Sequence, residues 1–474
     1  MRKNIISKSI RWYICILLII SVTFPMIVQA NSMPKYIWGG GGVNETTLLE
    51  EDCPIVVTNE LLTFNLQEFP KDYYERETDF SDYSGELTAE YSFYNPTDEK
   101  VRATLAFPVG KIPEYYGIPG ETDEPWWEKE ITVNGEAVDK NIRCTYFTDY
   151  DEFEAYEQRE KLQDNYVKDS FYRENLPVTK YVFRVEAPGT EIGNLEAQIT
   201  INTANEKTKV AVNGYRRSWD GETTSSEIEL YAEGHLTTIF VLGEDEFHPE
   251  WSFYDWENEK EVEGNAELLE KETMTFEEFA LMNYPENTVC TKNDWYNAQV
   301  AYLKECEPEQ GVIEDFSLEY GSEYYSYYLM YWNEYEISLE PGETVVNKVT
   351  APIYPSINME YKPAVYEYIY LTSPAKLWGD FGELKIVINT PFYLTDSSEK
   401  GFEKTETGYE LVMKGLPEEE LEFSLSEVKN PRIDPDIIWY EITLIIYVLG
   451  VPLLMVALLI LFFWLARRSR EKEK

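Results

Sequence analysis

The chain has 474 residues, with 87 Asp and Glu against 41 Lys and Arg, a formal net charge of −46, and 15% aromatic residues. At roughly 150 residues per domain this length allows two or three domains with sizeable cores, and 43% hydrophobic residues with 37 Tyr argue against a disordered acidic chain. Binding a phosphate backbone needs clustered Lys and Arg, so nucleic acid is a poor partner for so negative a protein.

Residues 1–30 read as a signal peptide. Arg2, Lys3, Lys8 and Arg11 precede an uncharged stretch from Trp12 to Ala30 that closes on Val28-Gln29-Ala30. Pro25 would break a spanning helix near the cut, which favours cleavage over an uncleaved anchor. Residues 31–45 form a Gly-rich leader around Trp38-Gly39-Gly40-Gly41-Gly42, which lacks the Lys-Ser/Thr of a phosphate loop.

Residues 46–245 are expected to form a β-rich domain. Leu87, Ala89, Tyr91 and Phe93 alternate, Asn95-Pro96-Thr97-Asp98 supplies turn chemistry, and Val101, Ala103, Leu105 and Phe107 alternate again, which predicts a β-hairpin with one buried face. Asn134-Gly135, flanked by Ile131-Thr132-Val133 and Ala137-Val138, suits the positive-φ positions of a type I′ turn. Further strands are expected at 181–185, 195–202, 209–212, 227–231 and 237–242. Phe153, Tyr156, Leu162, Tyr166 and Phe171 recur at roughly helical spacing and predict an inserted helix near 150–174.

Residues 246–310 read as a helical segment. Thr275 with Glu278 makes a capping box, Met274 and Phe279 make a hydrophobic staple, and Pro285 ends the helix. A second helix over 294–305 presents Trp295, Ala298 and Tyr302 on one side. A second β-rich domain is expected over 311–429. In it Tyr335, Ile337 and Leu339 run at period two, Pro341-Gly342 turns, Thr344 to Val349 returns, and Glu383 to Ile388 has one apolar face.

Residues 430–441, with Asn430-Pro431 and Asp434-Pro435, form a stiff juxtamembrane linker. Ile442 to Ala466 carries no charge, and as a helix would measure about 38 Å against a hydrocarbon core of about 30 Å. Trp439, Tyr440, Phe462 and Trp464 mark the interfaces, and the tail 467–474 with Arg467, Arg468, Arg470, Lys472 and Lys474 reads as positive-inside. The expected fold class is therefore mainly β, with β-sandwich-like modules, a helical insertion and one C-terminal transmembrane helix.

Cys53, Cys144, Cys290 and Cys306 fall in the exported part and allow three pairings. A helix of about 20 Å between Cys290 and Cys306 disfavours that pair. The exported residues 31–466 carry 32 basic and 85 acidic residues, a polyanion able to collect divalent cations or a cationic protein. A solvated acidic face is the simpler reading.

No residue is assigned a catalytic, cofactor-binding or metal-binding role. His235 and His248 are the only histidines, and the sequence contains no Gly-x-Ser-x-Gly elbow, zinc helix, P-loop or dinucleotide fingerprint. Asp149, Asp151, Glu152 and Glu154 could offer oxygen ligands to calcium but lack the glycine turn of an EF-hand loop. Trp126-Trp127-Glu128 and Trp251-Ser252-Phe253-Tyr254-Asp255-Trp256 set aromatics beside acids, as glycan sites do, although packing explains such strings equally well.

Tyr91-Ser92-Phe93-Tyr94-Asn95-Pro96, followed by Leu105-Ala106-Phe107-Pro108-Val109, resembles the strand, turn, strand and Phe-Pro core of VIT-like domains and similar bacterial exported domains. Leu339-Glu340-Pro341-Gly342-Glu343-Thr344 and Trp378-Gly379-Asp380-Phe381-Gly382 resemble recurring pieces of such proteins. The resemblance covers about a quarter of the chain and implies a β-sandwich and no particular chemistry. The Asp-x-Ser-x-Ser string of a companion von Willebrand A domain does not occur. The expectation is a single-pass cell-membrane protein of type I topology, whose acidic ectodomain is a non-catalytic binding or structural module for an extracellular ligand. The ligand candidates are a glycan, a cationic protein or a divalent cation. The alternative is an extracellular glycan-active enzyme using paired carboxylates.

Overall fold

The structure, a computed structural model, describes residues 53–70, 83–109, 129–146, 155–191, 194–201, 207–219, 226–230, 236–284, 289–306, 311–313, 329–378 and 380–435, with short pieces at 37–38, 43–44, 47–48, 437, 439, 461 and 464. It is mainly β. Two large sheets face each other across one core. The eight-stranded sheet is centred on Phe381–Asn389, Val56–Asn65, Glu86–Tyr94 and Thr344–Pro352, and the ten-stranded sheet on Val365–Leu371, Val101–Val109, Leu329–Leu339 and Asn141–Tyr146. The period-two residues of both sheets point inward, Leu62, Phe64, Leu87, Ala89, Tyr91, Leu384, Ile386 and Ile388 against Leu105, Phe107, Tyr335, Ile337, Phe423 and Leu425. Inside this core the Tyr370 hydroxyl donates to Glu60 Oε1 at 3.3 Å and lies 3.1 Å from the Tyr91 hydroxyl, a polar link between the sheets.

The strands of 53–146 and of 329–426 share both sheets, so the pairing cuts across the expected division into 46–245 and 311–429. What lies between them forms a second unit. Asn265–Thr275, Pro177–Glu186, Leu236–Gly243, Thr208–Val212 and Val312–Ile313 make one sheet, and Gly214–Trp219, Ser226–Leu230, Leu195–Ile201, Glu250–Asp255 and Lys260–Glu261 make the other. Phe183, Ile199, Val212, Val241 and Phe253 fill the space between them.

Three expectations are corrected. Glu86–Tyr94 and Val101–Val109 do not pair as a hairpin, because each belongs to a different sheet. The Asn95 side chain turns the chain from one to the other: its Nδ2 donates to the carbonyls of Glu99, Leu339 and Glu340, while its backbone N–H donates to the Glu343 carbonyl. Second, the insertion near 150–174 has one short helix, α1 (Ala155–Glu160), among its described residues. Beyond it the chain runs as a strap whose aromatics pack on a neighbouring helix rather than on their own turns. Third, the segment 246–310 opens with strands Glu250–Asp255 and Asn265–Thr275. The helix-favouring Glu and Lys of the latter are held in a ladder by pairing with Pro177–Glu186 along its whole length, with cross-strand ion pairs Lys180–Glu270 and Arg184–Glu267.

Helix α2 (Phe276–Ala280) carries the expected capping box, with the Thr275 hydroxyl accepting from the Glu278 N–H and the Glu278 carboxylate accepting from the Thr275 N–H. Helix α3 (Lys292–Glu305) is capped by Thr291. It is buried on two sides: Trp295 and Ala298 face Cys144, Tyr146, Leu329 and Tyr331 of the large sandwich, and Tyr296, Val300 and Leu303 face Phe240 and Ile313 of the second unit. It is thus the wedge between the two. The type I′ turn is present, with φ of 53° at Asn134 and 82° at Gly135. Of the Gly-rich leader 31–45, Ile37–Trp38 and Val43–Asn44 are short strands of the ten-stranded sheet, tied there by pairing with Ser356–Asn358 and Val365–Leu371, so the leader is not wholly a flexible one.

Residues 1–30 lie outside the described residues, and so does 442–466 apart from Leu461 and Trp464, both helical and exposed. Among the described residues no helix is long and apolar enough to cross a membrane.

Candidate functional site

Strand Asn141–Tyr146 edges the ten-stranded sheet and pairs with Leu329–Leu339, which sets Arg143 opposite Trp332 and diagonal to Glu334. Cys144 and Tyr146 point the other way, onto α3. Cys144 is joined to Cys290, two residues before α3 begins, with a Cα–Cα distance of 5.7 Å. The disulfide closes 146 residues of chain separation and fastens the helix start to the sheet edge. It belongs to one of the three pairings that the four cysteines of the sequence allow.

Beside it Arg143 makes a two-pronged contact with Asp294, Nε to Oδ2 and Nη2 to Oδ1, both at 2.9 Å. Asp294 has 1% of its surface exposed and lies in the first turn of α3, where its charge also meets the helix dipole. Arg143 Nη1 reaches Glu334 Oε2 at 3.2 Å and Asp164 Oδ1 at 3.3 Å, and Nη2 donates to the Gln163 carbonyl. Burial opposes the guanidinium charge, but the hydrogen bonds to Asp294 and the fields of Asp294, Glu334 and Asp164 outweigh it and raise the Arg143 pKa.

The strap holding Asp164 is fitted along α3 by side chains. Asn297 accepts from the Val167 N–H at 2.7 Å and donates to the Asn165 carbonyl at 3.0 Å, replacing a ladder that the strap lacks. Tyr166 stacks on Tyr296 with ring centroids 4.0 Å apart, and Lys304 pairs with Asp169.

These parts enclose two adjoining surface hollows of about 720 and 630 Å³. Both are lined by Lys140, Asn141, Arg143, Asp164 and Glu334; the larger adds Thr104, Asp139, Arg159 and Glu336, the smaller Thr291 and Asn293. The lining is mixed: donors and acceptors of both signs alternate with Val138, Leu162 and Tyr335 in the larger hollow and with Ile142 and Val289 in the smaller. Behind it lies Lys129, with 4% exposure, whose carbonyl accepts from Lys140 Nζ and whose N–H donates to Asn333 Oδ1. Burial, and then the charge of Lys140, push the Lys129 amine down to about 7.

Asp164 and Glu334, acids of the kind that glycoside hydrolysis pairs, each contact Arg143 Nη1. The space between them is filled by the guanidinium, however, whereas a hydrolase places the scissile bond there. The arrangement can hold a ligand by hydrogen bonds along its rim. Between Asp164 and Glu334 it leaves no open gap.

The residues singled out from sequence stand elsewhere. Asp149, Asp151, Glu152, Glu154, Trp126, Trp127, Glu128 and His235 lie outside the described residues, and His248 is an exposed residue of the irregular stretch 245–249. Trp251 and Phe253 pack in the second core, and Trp256 is exposed beside Tyr254. Asp255 is buried and accepts from the Asn258 N–H and side chain, which hold its carboxyl below its ordinary value. Among the described residues no group of acids, histidines and cysteines could hold a metal ion. Sequence reasoning missed the cleft because its residues come from five distant segments. The one signal was a lone Arg143 next to a cysteine in an acidic chain.

No protein-family model matches this chain, and no curated protein does. A crystal structure of a proposed nutrient-binding protein from Legionella pneumophila subsp. pneumophila strain Philadelphia 1 aligns with 82% of this chain and 72% of its own. The identity is 10% and the TM-score 0.34, a likeness too distant to carry an argument about ligand or mechanism.

Proposed function

We propose that this chain is a membrane-anchored, non-catalytic binding module of the bacterial cell surface, and that the cleft around Arg143 receives a polar ligand of the glycan class. The observation that carries the reading is the construction of that cleft. Its polar walls come from separate segments, and a disulfide and a buried ion pair lock those segments together, the preorganisation a binding site needs. Lys140, Asn141, Asn293 and Glu336 offer both donors and acceptors to hydroxyl groups. The disulfide also supports export, since such bonds persist in oxidising compartments, and the sequence pattern of 1–30 and 442–466 supplies the signal and the anchor.

The test is titration calorimetry of the full chain in detergent with N-acetylglucosamine oligomers and muramyl glycan fragments, with chromatography of the mixture afterwards. Binding that weakens at least tenfold in Asn141→Ala or Glu336→Ala, about 1.4 kcal/mol or more, with the oligomers recovered intact, is the expected result. Absence of binding to every glycan removes the ligand class. Hydrolysis abolished by a single Asp or Glu substitution turns the protein into the glycan-active enzyme.

A further inference from the structure

We infer that the two-stranded ribbon of Tyr361–Lys362 and Arg432–Ile433 is a foot on which the ectodomain rests against the lipid headgroup layer. This rests on the reading of 442–466 as a membrane span. The ribbon pairs Tyr361 with Ile433 and Lys362 with Arg432. It fixes the C-terminal chain to the body: the Asp434 N–H donates to the Glu360 carbonyl at 2.7 Å, Lys362 pairs with Asp434, and the Ile437 N–H donates to the Asp434 carbonyl. Ile437 is buried, so the body reaches that far.

The uncharged run begins at Ile442, five residues later. Five residues span about 18 Å when fully extended and about 8 Å as a helix; Pro435, Ile437 and Trp439 are helical. Each headgroup layer is roughly 5–8 Å thick. A body held on so short a tether presents its nearest surface to the lipid.

That surface has the right chemistry. Val428, Ile433 and Trp439 are exposed, Trp439 at 66%, and exposed Lys362, Lys429 and Arg432 stand beside Glu360, Glu427 and Asp434, with Asp436 and Glu441 following in the sequence. Tryptophan, aliphatic groups and long cationic stems are the side chains that settle at headgroup level. The Ser426 hydroxyl donates to the Ala364 carbonyl, which keeps the 427–430 bend beside the ribbon. In the ten-stranded sheet Ser356–Asn358, just before the ribbon, and Asn141–Tyr146, which carries the second unit through α3, lie on opposite sides of the central strands.

The full chain is reconstituted into vesicles of phosphatidylcholine and phosphatidylglycerol with photoreactive benzoylphenylalanine placed at Ile433, at Leu268 on the exposed edge of the second unit, or at Leu454 in the span. Lipid adducts at 433 several-fold above those at 268, together with adducts at 454, are expected. Ile433 and Leu268 are exposed, and unchanged melting temperatures verify that the body is folded. Adducts at 454 without adducts at 433 overturn the foot and leave the anchor standing. If 454 also fails to react with lipid, the anchor reading fails and the foot falls with it.

Discussion

Asn95 has no exposed surface, and its amide hydrogen-bonds three carbonyls contributed by two turns far apart in sequence. Those turns, Asn95-Pro96 and Pro341-Gly342, are two of the strings on which the resemblance to VIT-like domains rests, and they meet at one corner of the sandwich, where Gly342 adopts a φ of 70° and donates to the Asn95 carbonyl. Arg143 carries a comparable share at the cleft. Arg143→Ala leaves Asp294 buried without its cation and should cost about 3–5 kcal/mol, whereas Arg143→Met with Asp294→Leu removes both charges and should cost clearly less. Urea denaturation of both variants decides; equal losses would show that packing, not charge, holds this corner. Lys129 gives the pH signature. Its pKa is lowered to about 7 in the folded chain from the ordinary lysine value of 10.5, so the unfolded chain binds the extra proton between those values. Stability should therefore rise with pH across that window, by up to about 1.4 kcal/mol per unit. Subtracting the profile of Lys129→Met isolates the effect; identical slopes in the two proteins would refute it.

Helix α3 shows why an element can be read from sequence while its role cannot. Its cap, length and one apolar side follow from local pattern, but Tyr296, Val300 and Leu303 form a second buried side, which makes the helix a wedge between two β units. The disulfide at its start should matter accordingly. Replacing Cys144 and Cys290 together by Ala frees a long loop in the unfolded chain and should cost about 2–5 kcal/mol. Thermal melting of that variant against the parent tests it, and an unchanged midpoint would mean that the Arg143–Asp294 pair alone secures the helix. The individual strands were legible because one buried face imposes period two on 87–93, 335–339 and 384–388. Their partners were not. Turn chemistry at 95–98 is the same whether the chain folds back in one sheet or crosses to the other, and only the long-range carbonyls around Asn95 decide. The strap at 161–176 was misjudged for a related reason, since its aromatics repeat at helical spacing but pack on α3 and satisfy their backbone through Asn297 and Asp169.

At the scale of the whole molecule, the sandwich is built from strands on both sides of the 177–313 unit, so strand Val56–Asn65 reaches its parallel partner Phe381–Asn389 only after some 320 residues of intervening chain. Boundaries drawn from composition along the sequence could not show this interleaving. The cleft shares the difficulty, because Thr104 and residues from 139–143, 159–164, 291–293 and 334–336 meet only when both units are in place. The net charge of −46 acts on this assembly as self-repulsion. Ion pairs such as Lys100–Glu340 and Lys385–Glu410 are exposed and add little against it. Stability should therefore be lower at low ionic strength and rise as salt approaches roughly 0.1 M, where the Debye length is about 10 Å. Divalent cations should act in the same graded manner. A resident calcium site would behave differently, saturating at its dissociation constant and stabilising by mass action even when about 0.15 M monovalent salt already screens the surface. Melting curves with calcium titrated against that salt background separate the two. A midpoint that climbs and levels off at micromolar calcium would place a specific ion site on this acidic protein, and a flat response would leave screening as the whole effect.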